Sequence, residues 1–123
     1  MDNPIDVLVH CIKGKHKADI LMFLNPQPRR FSEVRRHLGE AVSERILTKQ
    51  LRELEAAGLV QRRVFAEVPP RVEYSLTAHG YTLCPVLKQM WYWGRSHLRE
   101  KNPAAPARPE SLSEPVSPNL TSV

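Results

Sequence analysis

Arg45, Thr48, Lys49 and Arg52 recur at intervals of three and four residues within residues 43–58, SERILTKQLRELEAAG. Leu47, Leu51 and Leu54 recur at the same period, out of phase with them. On a helix the two sets fall on different faces, one apolar and one cationic. The cationic set suits a polyanion that presents both charge and edges. Arg45 and Arg52 carry forked guanidinium groups that pair with guanine O6 and N7 or clamp a phosphate. Lys49 suits a phosphate or a guanine, and Thr48 a thymine methyl or a base donor. Ser43 is expected to cap the helix, its hydroxyl accepting from an unpaired backbone N–H, and is a weaker contact candidate. Gly58 is a natural stop. Such a helix, anchored on one side, fits a DNA major groove. A solvated charged face is the bland alternative, so the rest of the chain has to decide. Gln50 is expected to face solvent, and Glu44 to pair with a nearby lysine.

Further cations surround this stretch. Between residues 29 and 71 lie nine arginines and Lys49 against six glutamates. The whole 123-residue chain carries a net charge of +5, with a pI near 9.6. That balance favours nucleic acid over a membrane surface as partner. Arg71 follows Pro69 and Pro70 and is expected to project from a stiff loop to the minor groove or its phosphates. Arg62 and Arg63 fall on opposite faces of a strand, so one of the two is expected to help. Arg35 and Arg36 can meet the backbone from the preceding helix.

Other chemistries find less support. His10, Cys11, His79 and Cys84 are metal-ligand types without zinc spacing, so no metal and no cofactor are expected. There is no nucleophile elbow or phosphate loop, and His16, His37 and His97 stand apart from partner acids, so no enzyme is expected. Cys11 and Cys84 make no disulfide framework, and a reducing cytoplasm is the expected location. Cys11, beside Lys13, is a redox candidate, although its apolar neighbours also suit plain packing. Cys84, beside Pro85, reads as packing. No signal peptide or membrane span is visible, the longest apolar run being residues 20–24.

Positioning the cationic helix is the work of the elements around it. Residues 4 to about 14 carry Ile5, Leu8, Val9 and Ile12 at helical period, with Pro4 in the first turn. Residues 15–25 form a second, strongly apolar helix with Lys13, Lys15 and Lys17 crowding its start. Asn25-Pro26-Gln27-Pro28 ends it. Arg29-Arg30-Phe31 is a short extended lead into a third helix, residues 32–38, closed by Gly39. Helix, short glycine turn and helix is the helix-turn-helix arrangement. Residues 59–65 and 72–76 read as two strands joined through Pro69-Pro70, an extended tip that cannot pair as sheet.

Thr77 is expected to cap a last long helix from residue 78 to about 101. Leu83, Leu87 and Met90 form one stripe on it, and Val86 and Trp93 a second. An apolar face beyond what one core needs points to the same helix of a second subunit. Residues 102–123, rich in Pro, Ser, Ala and Glu, are expected to be a disordered tail. The fold class is mainly α with a small β-wing: a winged helix-turn-helix over residues 1–101, with a long C-terminal helix for dimerisation.

In this arrangement the chain resembles the HxlR-type winged helix-turn-helix transcriptional regulators, relatives of the MarR group. The resemblance is carried by residues 30–36 (RFSEVRR), Leu47-Thr48, residues 51–55 (LRELE) and Gly58-Leu59-Val60. It is most specific over residues 67–77 (EVPPRVEYSLT), followed by Gly80, Leu83 and Pro85-Val86-Leu87. It covers about residues 4–93 in one register. It implies a bacterial DNA-binding regulator acting as a homodimer on a pseudo-palindromic double-stranded operator, held by its first and last helices. Half-sites are expected about one helical turn, ~10 base pairs, apart. The cationic helix (43–57) would lie in the major groove, and the wing (65–72) on the minor groove or backbone. Some members of the family sense electrophiles or oxidants through a Cys-Pro pair near the N-terminus. Here that pair is Asn3-Pro4, and the usual Gly-Lys-Trp is Gly14-Lys15-His16. A small-molecule or electrophile effector is therefore an open expectation. The alternatives are a thiol-responsive regulator and a winged-helix protein-interaction module without specific DNA binding.

Overall fold

Leu47, Leu51 and Leu54 are all buried, and the rest of the chain folds around the helix that carries them. The computed structural model describes residues 3–14 and 16–101. In chain order its elements are α1 (Pro4–Ile12), α2 (Lys17–Leu24), β1 (Arg29–Arg30), α3 (Phe31–Leu38), α4 (Glu44–Ala56), β2 (Val60–Phe65), β3 (Arg71–Leu76) and α5 (Ala78–Lys101). It is mainly helical with a small antiparallel sheet, as a winged helix-turn-helix requires. The core gathers Ile20, Leu21 and Leu24 of α2, Val34 of α3, the α4 leucines, and Tyr74 and Leu76 of β3. Cys84 and Leu87 of α5 close it.

Local chemistry sets the boundaries. α1 stops at Ile12 because Lys13 is already extended and Gly14 takes φ +130°, so a four-residue corner separates it from α2. Both helices are thus shorter than their apolar patterns suggested. α3 starts at Phe31, one residue earlier than expected, where the Glu33 carboxylate reaches back to accept from the Arg30 N–H at 2.8 Å. Ser43 caps α4, its Oγ accepting from the Ile46 N–H at 3.1 Å. Gly58 ends the run at φ +77°, a left-handed conformation that a Cβ disfavours.

The sheet order is β1-β3-β2. The two wing strands pair from Val60 opposite Leu76 to Phe65 opposite Arg71. Arg29 and Arg30, expected only as an extended lead, pair with Tyr74 and Glu73 as a third strand. Such a strand is two residues long and has no period of its own to read. The wing tip bends at Val68 and Pro69, where the peptide is cis, and does not run straight.

A knot ties α4 to α5. The Thr77 hydroxyl accepts from the Gly80 N–H at 2.9 Å and donates to the Gly58 carbonyl at 2.7 Å. Thr77 N–H donates to the Leu59 carbonyl at 3.0 Å. A Cβ on Gly80 would stand 2.1 Å from that same carbonyl, so only glycine permits the approach.

The five apolar positions assigned to dimerisation divide. Leu87 is buried in the core of its own chain, which leaves it little surface for an interface, and Leu83 is half-buried against that core. The α5 stripe faces inward along that line because α2 lies across it. Val86, Met90 and Trp93 remain exposed, Trp93 to 69%. Ile5, Val7 and Val9 of α1 are exposed as well, and α1 buries no residue. The tail assigned to residues 102–123 lies outside the described residues.

Candidate nucleic-acid interface

Three contacts fix the cationic helix before it meets anything. Its leucine stripe locks one side into the core. The Arg35 guanidinium of α3 donates to the Glu44 carboxylate at 3.1 Å and to the Val42 carbonyl at 3.5 Å, spanning the turn between the helices. Val42 itself is buried, and its N–H donates to the Gly39 carbonyl at 3.2 Å. The angle between α3 and α4 is therefore set by packing and hydrogen bonds together. Glu44 pairs with this arginine and not with a lysine, because α3 brings Arg35 across the turn.

The outward side of α4 is a shallow groove lined by Arg45, Thr48, Lys49, Arg52 and Ala56, with Glu44 and Glu53 at its edges. Arg45, Lys49 and Arg52 are exposed and form no hydrogen bond or ion pair among the described residues. Thr48 lies half-buried among them. Ser43 is exposed at the helix start with its oxygen already accepting in the cap. Gln50 departs from expectation. It is half-buried against the α1–α2 corner, and its Oε1 is enclosed with no hydrogen-bond partner among the described residues.

The wing holds its cations differently. Arg71 does not project from the proline tip. Its guanidinium donates to Glu67 at 3.0 and 3.2 Å and to Glu73, and lies 3.7 Å over the Phe65 ring. Hydrogen bonding to Glu67, opposed by burial and aided by Glu73, raises its pKa above the usual guanidinium value. The reason is register: Phe65 stands opposite Arg71 at the end of the ladder, and the two glutamates flank it. Arg63 lies over the same ring at 4.7 Å, exposed and without a carboxylate partner among the described residues. Arg62 stands 3.9 Å from Glu55. Of the two neighbours, Arg63 is thus the bare one. The acidic residues around Arg71 were visible in the sequence, but which arginine they would occupy depended on the hairpin register.

Both cysteines are free thiols. Cys84 is buried, its thiol 3.8 Å from the Gly80 carbonyl, and burial pushes its pKa up. Cys11 is half-buried against the core and lines a cleft between α1 and α4. Among the described residues no group of three or more His, Cys, Asp or Glu could hold a metal ion. No helix among them is long and apolar enough to cross a membrane.

Comparison with known proteins places this geometry. The description "HxlR-like helix-turn-helix" matches residues 11–102. YybR of Bacillus subtilis, an HTH-type transcriptional regulator, is 45% identical over 94 residues, covering 76% of this chain and 74% of its own. An HTH-type transcriptional regulator of Methanothermobacter thermautotrophicus is 42% identical over 105 residues, covering 83% of this chain and 79% of its own. Among solved structures, the redox regulator HypR in its reduced form superposes with a TM-score of 0.76 at 42% identity, over 82% of this chain and 99% of that one. The relatives are regulators and not enzymes, and HypR shares the fold described above along nearly its whole length. The chain belongs to the HxlR-like helix-turn-helix family of transcriptional regulators.

Proposed function

We propose that a homodimer of this chain binds a pseudo-palindromic double-stranded operator, with residues 43–57 of each protomer in a major groove and residues 65–72 against the minor groove or backbone. The observation that carries this is the bare cationic face of α4, set on a helix whose other side is packed into the core. Buried in a groove, Arg45, Lys49 and Arg52 would exchange water and counterions for phosphates and base edges. Thr48, half-buried among them, would meet a base edge, while Ser43 orients the helix start. In the wing, Arg63 makes the backbone contact, and Arg71 holds the hairpin root in shape.

The dimer rests on two uncovered apolar faces, Ile5, Val7 and Val9 on α1 and Val86, Met90 and Trp93 on α5. A second copy covers both at once, in the self-complementary manner of a two-fold interface. The test is binding of the purified protein to its own upstream DNA against a scrambled duplex, with the mass of the complex measured by sedimentation. A preferred complex of two chains per operator is the expected result. A monomer with no preference for either duplex would overturn the reading.

A second reading concerns control of the same protein. The likeness to the redox regulator HypR favours a thiol response, with Cys11, on the wall of the α1–α4 cleft, as the proposed thiol. Loss of operator binding on oxidant treatment of wild type, retained in Cys11→Ser, is the expected outcome. Equal sensitivity in both proteins would remove Cys11 from the account.

A further inference from the structure

The α1–α2 corner has no part in the site described so far, yet it is docked on the middle of α4. Lys17 is only 8% exposed, the one buried charged residue among those described, and its Nζ stands 2.9 Å from Glu53 of α4. Gly14, at φ +130°, lies so close to Gln50 that a Cβ there would stand 2.9 Å from Oε1. An ion pair and a steric fit thus make the corner travel with the cationic helix. The cleft between them is lined by His10, Lys13, Lys17, Lys49, Gln50 and Glu53, among others. Lys49, Glu53 and Ala56 also line the outward groove of α4, so the two surfaces are continuous. Lys17 occupies the Glu53 carboxylate. Lys13 is exposed, with no hydrogen bond or ion pair among the described residues.

Groove dimensions give this corner a task. An α-helix with its side chains is about 10–12 Å across, and the major groove of B-DNA is about 12 Å wide. A helix seated there fills the groove, and a segment docked on its flank meets the sugar–phosphate rim. We propose that Lys13, assisted by Lys49, contacts the phosphate backbone beside the base pairs that α4 reads, so that the DNA interface extends onto the α1–α2 corner. This rests on the DNA-binding reading above. A rim contact of this kind adds affinity and fixes orientation without reading sequence.

The experiment uses the full chain and two duplexes, operator and scrambled, across a salt series, with Lys13→Ala, Lys13→Arg and Arg45→Ala. Lys13→Ala is expected to weaken both duplexes by a similar factor. It should also make the salt dependence shallower by about 1 per protomer, with the preference for operator unchanged. Lys13→Arg keeps the charge and is expected to keep the slope. An unchanged slope and affinity in Lys13→Ala would overturn the inference. A changed operator preference would also overturn it, since it would place Lys13 on bases. If Arg45→Ala leaves the operator preference intact, the failure belongs to the reading of α4; if only Lys13→Ala is silent, it belongs to the corner alone.

Discussion

Side chains of one chemical type serve different ends here, and their partners decide which. Arg45, Lys49 and Arg52 stand bare, whereas Arg71 is held by two carboxylates and an aromatic ring. Arg63→Ala is therefore expected to flatten the salt dependence of DNA binding by about 1 per protomer. Arg71→Ala is expected to change that slope less and to disorder the hairpin root, which amide exchange in β2 and β3 would register. Gly80 supplies a sharper case. Alanine there would drive a methyl into the Leu59 carbonyl, at 2.1 Å without relaxation. A loss of at least about 2 kcal/mol is expected in denaturant unfolding, towards the upper end of overpacking costs, because the obstacle is backbone. Thiols divide by burial in the same way. Cys84 has its pKa raised by burial and stays neutral at pH 7, so a thiolate-selective reagent should label Cys11 first and Cys84 only on unfolding.

At the scale of elements, the start, buried stripe and end of α4 were legible because their signals are local. Ser43, the leucine stripe and Gly58 lie within one stretch, and each does what its type suggests. What the stretch could not reveal was its docking. Whether Gln50 is wet or enclosed depends on a corner more than thirty residues earlier in the chain, and the burial of Lys17 depends on Glu53. β1 escaped for the same reason, since its two residues become a strand only when β3 lies beside them. The Lys17–Glu53 pair also sets a pH dependence. Hydrogen bonding to Lys17 is the largest influence on Glu53 and lowers its pKa below the ordinary carboxylate value, against the opposing effect of burial. A carboxylate depressed by folding contributes stability above its unfolded pKa and loses it as pH falls through the folded one. The urea midpoint of wild type is thus expected to drop across that acid range, and that of Glu53→Gln to drop less. Leu51→Ala, by contrast, removes a buried side chain from the stripe and should cost about 2–5 kcal/mol at any pH where the protein folds.

Among the described residues, apolar surface is left uncovered along α1 and α5, and singly at Ile46, Val64 and Val68. Helical period marked α5 as apolar on most sides but did not say which side the chain's own core would claim. Leu87 went inward with Cys84, and Trp93 and Met90 stayed outside. Charge placed at the outer positions should therefore separate subunits without unfolding them. Trp93→Lys is expected to yield a folded monomer by sedimentation, with operator affinity reduced and half-site binding retained. A dimer surviving that change would place the interface elsewhere.

Sequence discrimination by α4 is read in the ratio of operator to scrambled-duplex affinity, at several salt concentrations, for wild type, Arg45→Ala and Lys49→Ala. Wild type is expected to prefer its operator by ~10³ or more, with affinity falling steeply as salt rises. Arg45→Ala should erode the ratio itself, by about 1–3 kcal/mol if its guanidinium pairs with a base. Lys49→Ala should weaken both duplexes if it holds a phosphate. A wild-type ratio near unity, or a ratio that neither substitution lowers, would contradict the account.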